Sequence, residues 1–90
     1  MTGEKLLEII SLYDKILAPY PAKQLERYDV FPETDEEFLA HLRWMLGEMR
    51  ERALNGKLKK ALRWLGFIQG VLAGKALRTI AQLREDSRSA

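Results

Sequence analysis

The chain has 90 residues, of which 47% are hydrophobic and 31% charged, a composition typical of one folded domain and outside the range of disordered proteins. It contains no cysteine, which excludes a disulfide framework, a thiolate nucleophile and cysteine-ligated zinc. The formal net charge is +2, but nine acids and four bases lie in residues 1–37, whereas four acids and eleven bases lie in residues 38–90. This asymmetry indicates an anionic partner for the basic part.

The apolar stretches of the chain are short. The first residues lack the long apolar segment and cleavage site of a secretory signal. The most apolar segment, residues 65–74, has ten residues and includes Gln69, whereas a membrane-spanning helix needs about 20 apolar residues. We therefore expect neither secretion nor a transmembrane segment, and a cytoplasmic location.

The first predicted element is an amphipathic helix over about residues 4–18. Its apolar residues recur at alternating steps of three and four, as on one face of a helix. They are Leu6, Ile9, Tyr13, Ile16 and Tyr20. Pro19 and Pro21 should end the helix, because proline lacks the amide donor and disfavours helix in the residue before it.

A loop is expected next, over residues 19–33. Apart from one short turn it shows no helical period, and its apolar residues are predicted to cap one end of the core. These are Leu25, Tyr28, Val30 and Phe31.

The second predicted helix covers about residues 35–54. Thr34 and Glu37 form a capping box in the sequence, in which the threonine oxygen accepts from the Glu37 amide and the glutamate accepts from the Thr34 amide. Asn55 and Gly56 are typical of a helix C-terminus. The expected core row is Phe38, Leu42, Met45 and Met49.

Two further helices are predicted, over about residues 57–77 and about residues 80–86. Thr79 followed by Gln82 is a second capping box, so a break is expected near residue 78. The expected core row of the third helix is Leu58, Leu62, Leu65, Gln69, Leu72 and Ala76. The predicted fold class is therefore all-α: one domain over residues 1–90, built as a small bundle of three main helices plus a short C-terminal helix.

The single histidine is expected to lie close to a glutamine. If the second and third helices form an antiparallel hairpin about Asn55 and Gly56, His41 lies almost at the level of Gln69. Gln69 interrupts an apolar row and needs a hydrogen-bond partner if it is buried. We predict that these two side chains form a structural polar pair; a ligand pocket between them is the alternative.

Gly66, Gly70 and Gly74 are spaced four residues apart along one face of the third helix. Each costs about 1 kcal/mol relative to alanine in a helix interior, so something should approach this face closely. We expect a neighbouring helix of the same chain, and a subunit interface is the alternative.

Trp44, Trp64 and Phe67 lie beside the expected core rows rather than within them. In one interpretation the first or fourth helix covers them. In the other they are exposed anchors for a partner, or for a second copy of the chain, since aromatic side chains beside arginine are enriched at interfaces.

The third helix is also strongly basic. Every charge from residue 52 to residue 84 is positive, and Lys57, Lys60 and Arg63 are spaced about one turn apart. They are candidate contacts to an anionic partner, and the alternative is a solvated face neutralised by the acidic part of the chain. No helix-turn-helix spacing or RNA-binding aromatic motif is present. A protein partner therefore ranks first, nucleic acid second and an anionic membrane surface third.

No catalytic constellation is found in the sequence. There is one histidine, no nucleophile elbow, no phosphate-binding glycine loop and no metal-binding helix motif. The acids of residues 35–37 are explained as complements of the helix dipole. We therefore expect no enzyme, no catalytic or metal-binding residue and no cofactor.

Residues 41–45 (HLRWM), 63–70 (RWLGFIQG) and 79–80 resemble segments of small uncharacterised helical proteins from tailed phages and prophages. The resemblance covers about residues 38–88 and brings no activity, cofactor or binding residue. It implies phage origin and an accessory role aimed at host proteins, host defences or phage DNA. The expected function is stoichiometric binding of a host or phage protein, foremost a host defence component, in the cytoplasm of an infected bacterium, with homo-oligomerisation as a further expectation. The alternative is nucleic-acid binding through the basic third helix.

Overall fold

The computed structural model describes residues 1–88 and consists of four α-helices joined by irregular segments. The helices are α1 (Gly3–Ile16), α2 (Asp35–Leu54), α3 (Leu58–Gly74) and α4 (Ile80–Ser87). No strand occurs within residues 1–88, so the predicted all-α class is confirmed. α2 packs against both α1 and α3, which makes it the central helix of a small bundle. No helix in this described range is long and apolar enough to cross a membrane.

The hydrophobic core lies between α1, α2 and α3. Its buried side chains are Leu6, Ile9, Ile10, Tyr13, Leu17, Leu39, Leu42, Met45, Leu46, Met49, Ala61, Leu65, Ile68 and Leu72. Fully burying a leucine, isoleucine or methionine side chain stabilises the folded state by about 1.5–3 kcal/mol relative to leaving it exposed. Apolar burial on three helices is therefore the main stabilising contribution.

The buried row of α3 differs from the expected leucine row. It consists of Ala61, Leu65, Ile68 and Leu72. Leu62 and Gln69, which belong to the expected row, are only partly buried. The observed row is apolar throughout, whereas the expected one would place the Gln69 amide in the core at a desolvation cost. α3 is therefore rotated so that Gln69 lies at the border of the core.

α3 ends at Gly74, before the predicted boundary near residue 77. Ala76 has a left-handed backbone with a φ of 58°. The Ala76 amide donates to the Ala73 carbonyl at 3.1 Å, and the Leu77 amide donates to the Leu72 carbonyl at 2.9 Å. This is the Schellman arrangement that closes a helix, usually with glycine at the left-handed position. The alanine at this position carries no such signal, which explains the error in the boundary.

Threonine caps begin α2 and α4. Thr34 Oγ1 accepts from the Glu37 amide at 3.1 Å, but the Glu37 carboxylate accepts from the Glu33 amide instead of the Thr34 amide. At the start of α4, both hydrogen bonds of the capping box are present between Thr79 and Gln82. The predicted box is thus complete at Thr79 and half formed at Thr34.

α4 has no buried residue, and hydrogen bonds dock it onto the bundle. The Asp86 carboxylate accepts two hydrogen bonds from the Arg78 guanidinium, at 2.6 and 2.9 Å, and one from the Tyr13 hydroxyl at 2.9 Å. Gln69 Nε2 donates to the Tyr13 hydroxyl at 3.1 Å and to Ser87 Oγ at 2.9 Å. We call these five side chains the polar cluster; it joins α1, α3 and α4.

The polar cluster fixes the protonation states of its members. The Asp86 side chain is only 5% exposed, and the hydrogen bonds from Arg78 hold the pKa of Asp86 below its usual range. Burial raises the pKa of Tyr13 to about 12. At neutral pH Asp86 is therefore an ionised acceptor and Tyr13 a protonated donor.

The glycines of α3 face solvent. Gly66, Gly70 and Gly74 are all exposed, and a Cβ added at any of them meets no atom of the chain within 4 Å. The expectation that another helix of the same chain approaches these glycines is therefore wrong, because α3 buries a different face. The subunit-interface alternative stays a prediction.

Replacing Gly70 by alanine should stabilise the fold. The added methyl group has open space, and alanine is favoured over glycine in a helix interior by about 1 kcal/mol. Gly56, whose φ is 76°, is the matched control: there alanine should lower the free energy of unfolding by about 1–2 kcal/mol. Urea unfolding of both variants at low protein concentration measures the two changes. A loss of stability in Gly70→Ala would mean that this face is occupied in the folded chain.

Changing Asp86→Asn should lower the free energy of unfolding by about 2 kcal/mol, because Arg78 loses its charged acceptor. The folded-state pKa of Asp86 is lowered. The contribution of Asp86 to the free energy of unfolding is therefore present above about pH 4 and is lost as the pH falls through that lowered pKa. Urea unfolding from neutral to acidic pH measures both effects. Glu85→Gln, at an exposed neighbour, is the control and should change stability by less than about 0.5 kcal/mol. Equal stability of the two variants would contradict the docking role of the cluster.

Candidate partner-binding surface

Hydrogen bonds fasten the loop between α1 and α2 to the side of α2. The Lys23 amide donates to the Ala40 carbonyl at 3.2 Å, and the Leu25 amide donates to His41 Nδ1 at 3.0 Å. The buried His41 ring also stacks on Trp44, with ring centres 5.3 Å apart. His41 is thus a structural residue that positions the loop.

The predicted pair of His41 and Gln69 is wrong. His41 accepts from the loop, whereas Gln69 donates to Tyr13 and Ser87 in the polar cluster. The rotation of α3 explains the difference, because it directs Gln69 toward α1 and α4 rather than toward α2. Both side chains are satisfied, as expected for polar groups at a core, but by other partners.

Four aromatic side chains line one face across α2 and α3, which we call the aromatic face: Phe38, Trp44, Trp64 and Phe67. The rings of Phe38 and Phe67 meet edge-on, and those of Trp44 and Trp64 are tilted; both pairs of ring centres are 6.4 Å apart. Phe38, Trp44 and Trp64 are partly buried against the core, whereas Phe67 is 51% exposed. The two tryptophans are thus neither fully covered nor free, and Phe67 lies about one helical turn from Trp64 on α3.

Two cations lie at the Trp64 end of the aromatic face. Arg52 Cζ is 5.2 Å and Lys60 Nζ is 5.8 Å from the centre of the Trp64 ring, within the range of cation–π attraction. Arg52 Nε is buried and has no hydrogen-bond partner among the described residues. This end of the face combines aromatic surface with positive charge and an unused donor.

The three predicted basic residues lie at the start of α3, about one turn apart. Lys57, Lys60 and Arg63 are exposed, and none forms an ion pair within residues 1–88. α3 begins without a side-chain cap and has no acid in its first turn. Lys60 reaches the aromatic face, while helix geometry places Arg63 closer to the glycines of the solvent face.

Three of the four loop residues that were expected to cap the core are exposed instead, and Leu25 is partly buried. Phe31 is 95% exposed and Tyr28 67% exposed, and Val30 is half-exposed. This prediction is wrong because the backbone contacts to Ala40 and His41 hold the loop along the start of α2. The loop was predicted from its prolines, but no pattern in it shows on which side of α2 it lies.

A groove of about 720 Å³ lies between this loop and the start of α2. We call it the acidic groove, because four glutamates line it beside exposed apolar side chains. The lining includes Glu26, Val30, Phe31, Glu33, Glu36 and Glu37. The groove was not predicted from the sequence, because the acids of residues 35–37 were assigned to the helix dipole and Glu26 and Glu33 were given no role.

Within residues 1–88, no three histidine, aspartate or glutamate side chains come close enough together to hold a metal ion. In the acidic run that begins α2, Asp35 is engaged in an ion pair with Lys75 at 2.7 Å.

Comparison with known proteins gives no match to this chain among protein-family models, curated proteins or solved structures.

Acidification should loosen the loop, because His41 Nδ1 accepts the Leu25 amide only when it is unprotonated. Burial lowers the pKa of His41 below 6.5, so the unfolded state binds this proton more readily. The stability that the unprotonated His41 contributes is present above about pH 6.5 and is lost as the pH falls through the lowered pKa. Urea midpoints at about pH 7.5 and about pH 5 measure the loss.

His41→Gln is the control for this experiment, because it keeps an acceptor and removes the only histidine. Its urea midpoint should change less between the two pH values than that of the wild type. An equal change in both proteins would assign the effect to other groups.

Proposed function

We propose that the chain is a stoichiometric binding protein that holds an acidic segment of another protein against the aromatic face. The observation that carries this proposal is the half-exposed Phe67 next to Trp64, whose ring lies close to Arg52 and Lys60. Aromatic and arginine side chains contribute most of the binding free energy at protein interfaces. Cations that lie against an aromatic ring add positive charge to the same surface, and positive charge attracts carboxylates.

In this proposal α2 and α3 run antiparallel, so that their aromatic residues form one continuous platform. Contacts along the two helices support this arrangement. Asp35 at the start of α2 pairs with Lys75 just after α3, whereas Arg52 near the end of α2 lies over Trp64 in the first half of α3. A partner segment would then cross both helices and contact Trp44, Trp64 and Phe67 together.

The free charges beside this platform favour an acidic partner. Lys57, Lys60 and Arg63 have no ion pair in the described part of the chain, and the first turn of α3 contains no acid. Such charges at the rim of an interface mainly raise the association rate and select the sign of the partner. Most of the affinity then comes from burying the aromatic surface.

We further propose that the partner is a host protein or defence component and that the chain acts in the cytoplasm of an infected bacterium. The support is the resemblance of residues 41–45 and 63–70 to segments of phage proteins. Trp44 lies in the first of these segments, and Trp64 and Phe67 lie in the second. The segments that carry the resemblance therefore supply three of the four aromatic side chains of the face.

Capture from a nuclease-treated bacterial lysate with the immobilised chain tests the proposal. The variant is Phe67→Asp, and the control is Ile80→Asp, at an apolar residue at the start of α4 that is even more exposed than Phe67. A protein retained by wild type and control, but reduced at least about tenfold by Phe67→Asp, is the expected result. Retention by all three chains alike, or by none, would contradict a role of the aromatic face.

Nucleic acid is the second candidate partner, favoured by Lys57, Lys60 and Arg63, which are exposed and form no ion pair with any residue of the range 1–88. Fluorescence anisotropy with random duplex and single-stranded DNA at about 50 and about 200 mM salt tests it, because several phosphate contacts change affinity by orders of magnitude over that range. Absence of binding at the lower salt would exclude this candidate. Binding that is lost when the three bases are changed to glutamate, with an unchanged melt, would place it above the protein partner.

A further inference from the structure

The acidic groove and the solvent face of α3 are two unoccupied surfaces of the same chain. The groove has four glutamates in its lining against Lys23 and Arg27, and Arg27 is already engaged by Asp29 at 2.8 Å. Its negative charge is therefore largely uncompensated. A cationic surface is the complement that this groove requires.

The rim of the groove is apolar. Phe31 is 95% exposed and Val30 is half-exposed, and the loop that carries them is held in place at Lys23 and Leu25 by α2. Apolar side chains held in water beside a charged groove are typical of an interaction surface. The complement must therefore also offer a surface on which an aromatic ring can pack closely.

The solvent face of α3 has both properties. Lys59 and Arg63 are exposed and unpaired in the described part of the chain. One and two turns further on, Gly66 and Gly70 leave the helix backbone uncovered, with open space where side chains would be. Glycines lower helix stability, and no packing against any of residues 1–88 accounts for them here. A helix face of this kind allows close approach of a neighbouring molecule.

We propose that the acidic groove of one copy of this chain binds the solvent face of α3 of a second copy. Arg63 and Lys59 of one copy contact Glu33 and Glu36 of the other, and Phe31 packs on the backbone at Gly70. The inference goes beyond the proposed function, because it requires no foreign partner and uses the glycine side of α3, which shares only Arg63 with the surface proposed for the foreign partner.

The two surfaces lie on different elements, so the contact is heterologous: each copy uses its groove for one neighbour and its α3 for another. Such contacts form rings or open chains rather than a closed dimer of fixed size. The assembly should also depend on salt, because ionic screening weakens attraction between exposed charges.

Sedimentation velocity from about 10 to about 500 µM protein, at about 50 mM and about 500 mM salt, tests the proposal. The variant is Gly70→Glu, which adds bulk and a negative charge to the α3 face. Gly47→Glu is the matched control, because Gly47 is also an exposed helical glycine with open space around it. Wild type and control should sediment faster as concentration rises at low salt, and Gly70→Glu should stay monomeric.

A charge exchange identifies the two partner surfaces. Arg63→Glu and Glu36→Lys should each weaken association by at least about tenfold. Their equimolar mixture should recover it, because every contact between a copy of one variant and a copy of the other joins opposite charges, so that the two variants alternate. Three results would overturn the proposal: a wild type that stays monomeric throughout, equal behaviour of Gly70→Glu and Gly47→Glu, or a dimer of constant size that Glu36→Lys does not change.

Discussion

The Asp86 carboxylate is the point at which three helices of the chain depend on one another. Tyr13 is fully buried in α1, and a buried phenol requires a hydrogen-bond partner. Gln69 of α3 donates to this hydroxyl, while the acceptor for the hydroxyl proton is Asp86 of α4, whose buried charge Arg78 balances. α4 therefore completes the core through the Asp86 side chain, which is only 5% exposed, although α4 fully buries no apolar residue. A short helix with little apolar surface is held by one carboxylate and the donors around it.

The same rotation of α3 creates the polar cluster and the aromatic face. Its buried row, Ala61, Leu65, Ile68 and Leu72, has Gln69 along one border and Trp64 along the other. With this row in the core, Gln69 reaches Tyr13 on one side, while Trp64 reaches Trp44 on the other. A rotation that buried Gln69 instead would break both contacts. The docking of α4 and the shape of the aromatic face thus both depend on which side of α3 is buried.

Local chemistry was predictable from the sequence, and tertiary orientation was not. The caps at Thr34 and Thr79 follow from hydrogen bonds between residues three apart, and the stop after Asn55 follows from a glycine that can adopt a positive φ. The rotation of α3 depends on which of two overlapping apolar rows meets α2, and both contain Leu65 and Leu72. The left-handed backbone of Ala76 could not be predicted, because alanine has no preference for that conformation. The three glycines show only that helix stability is lowered, not what approaches them.

The short connection at residues 55–57 bears on the order in which the chain folds. Bringing α2 and α3 together closes only this brief segment, whereas α1 reaches α2 only after the much longer stretch of residues 17–34 is closed. Loop-closure entropy and contact order both favour the shorter segment. We therefore expect the transition state for folding to contain α2 and α3. Ile68→Val, on α3, should then slow folding, whereas Ile9→Val, on α1, should mainly accelerate unfolding. The opposite pattern would make α1 part of the folding nucleus. The polar cluster, which needs α1, α3 and α4 all in place, would then form last and set the rate at which the native chain begins to open.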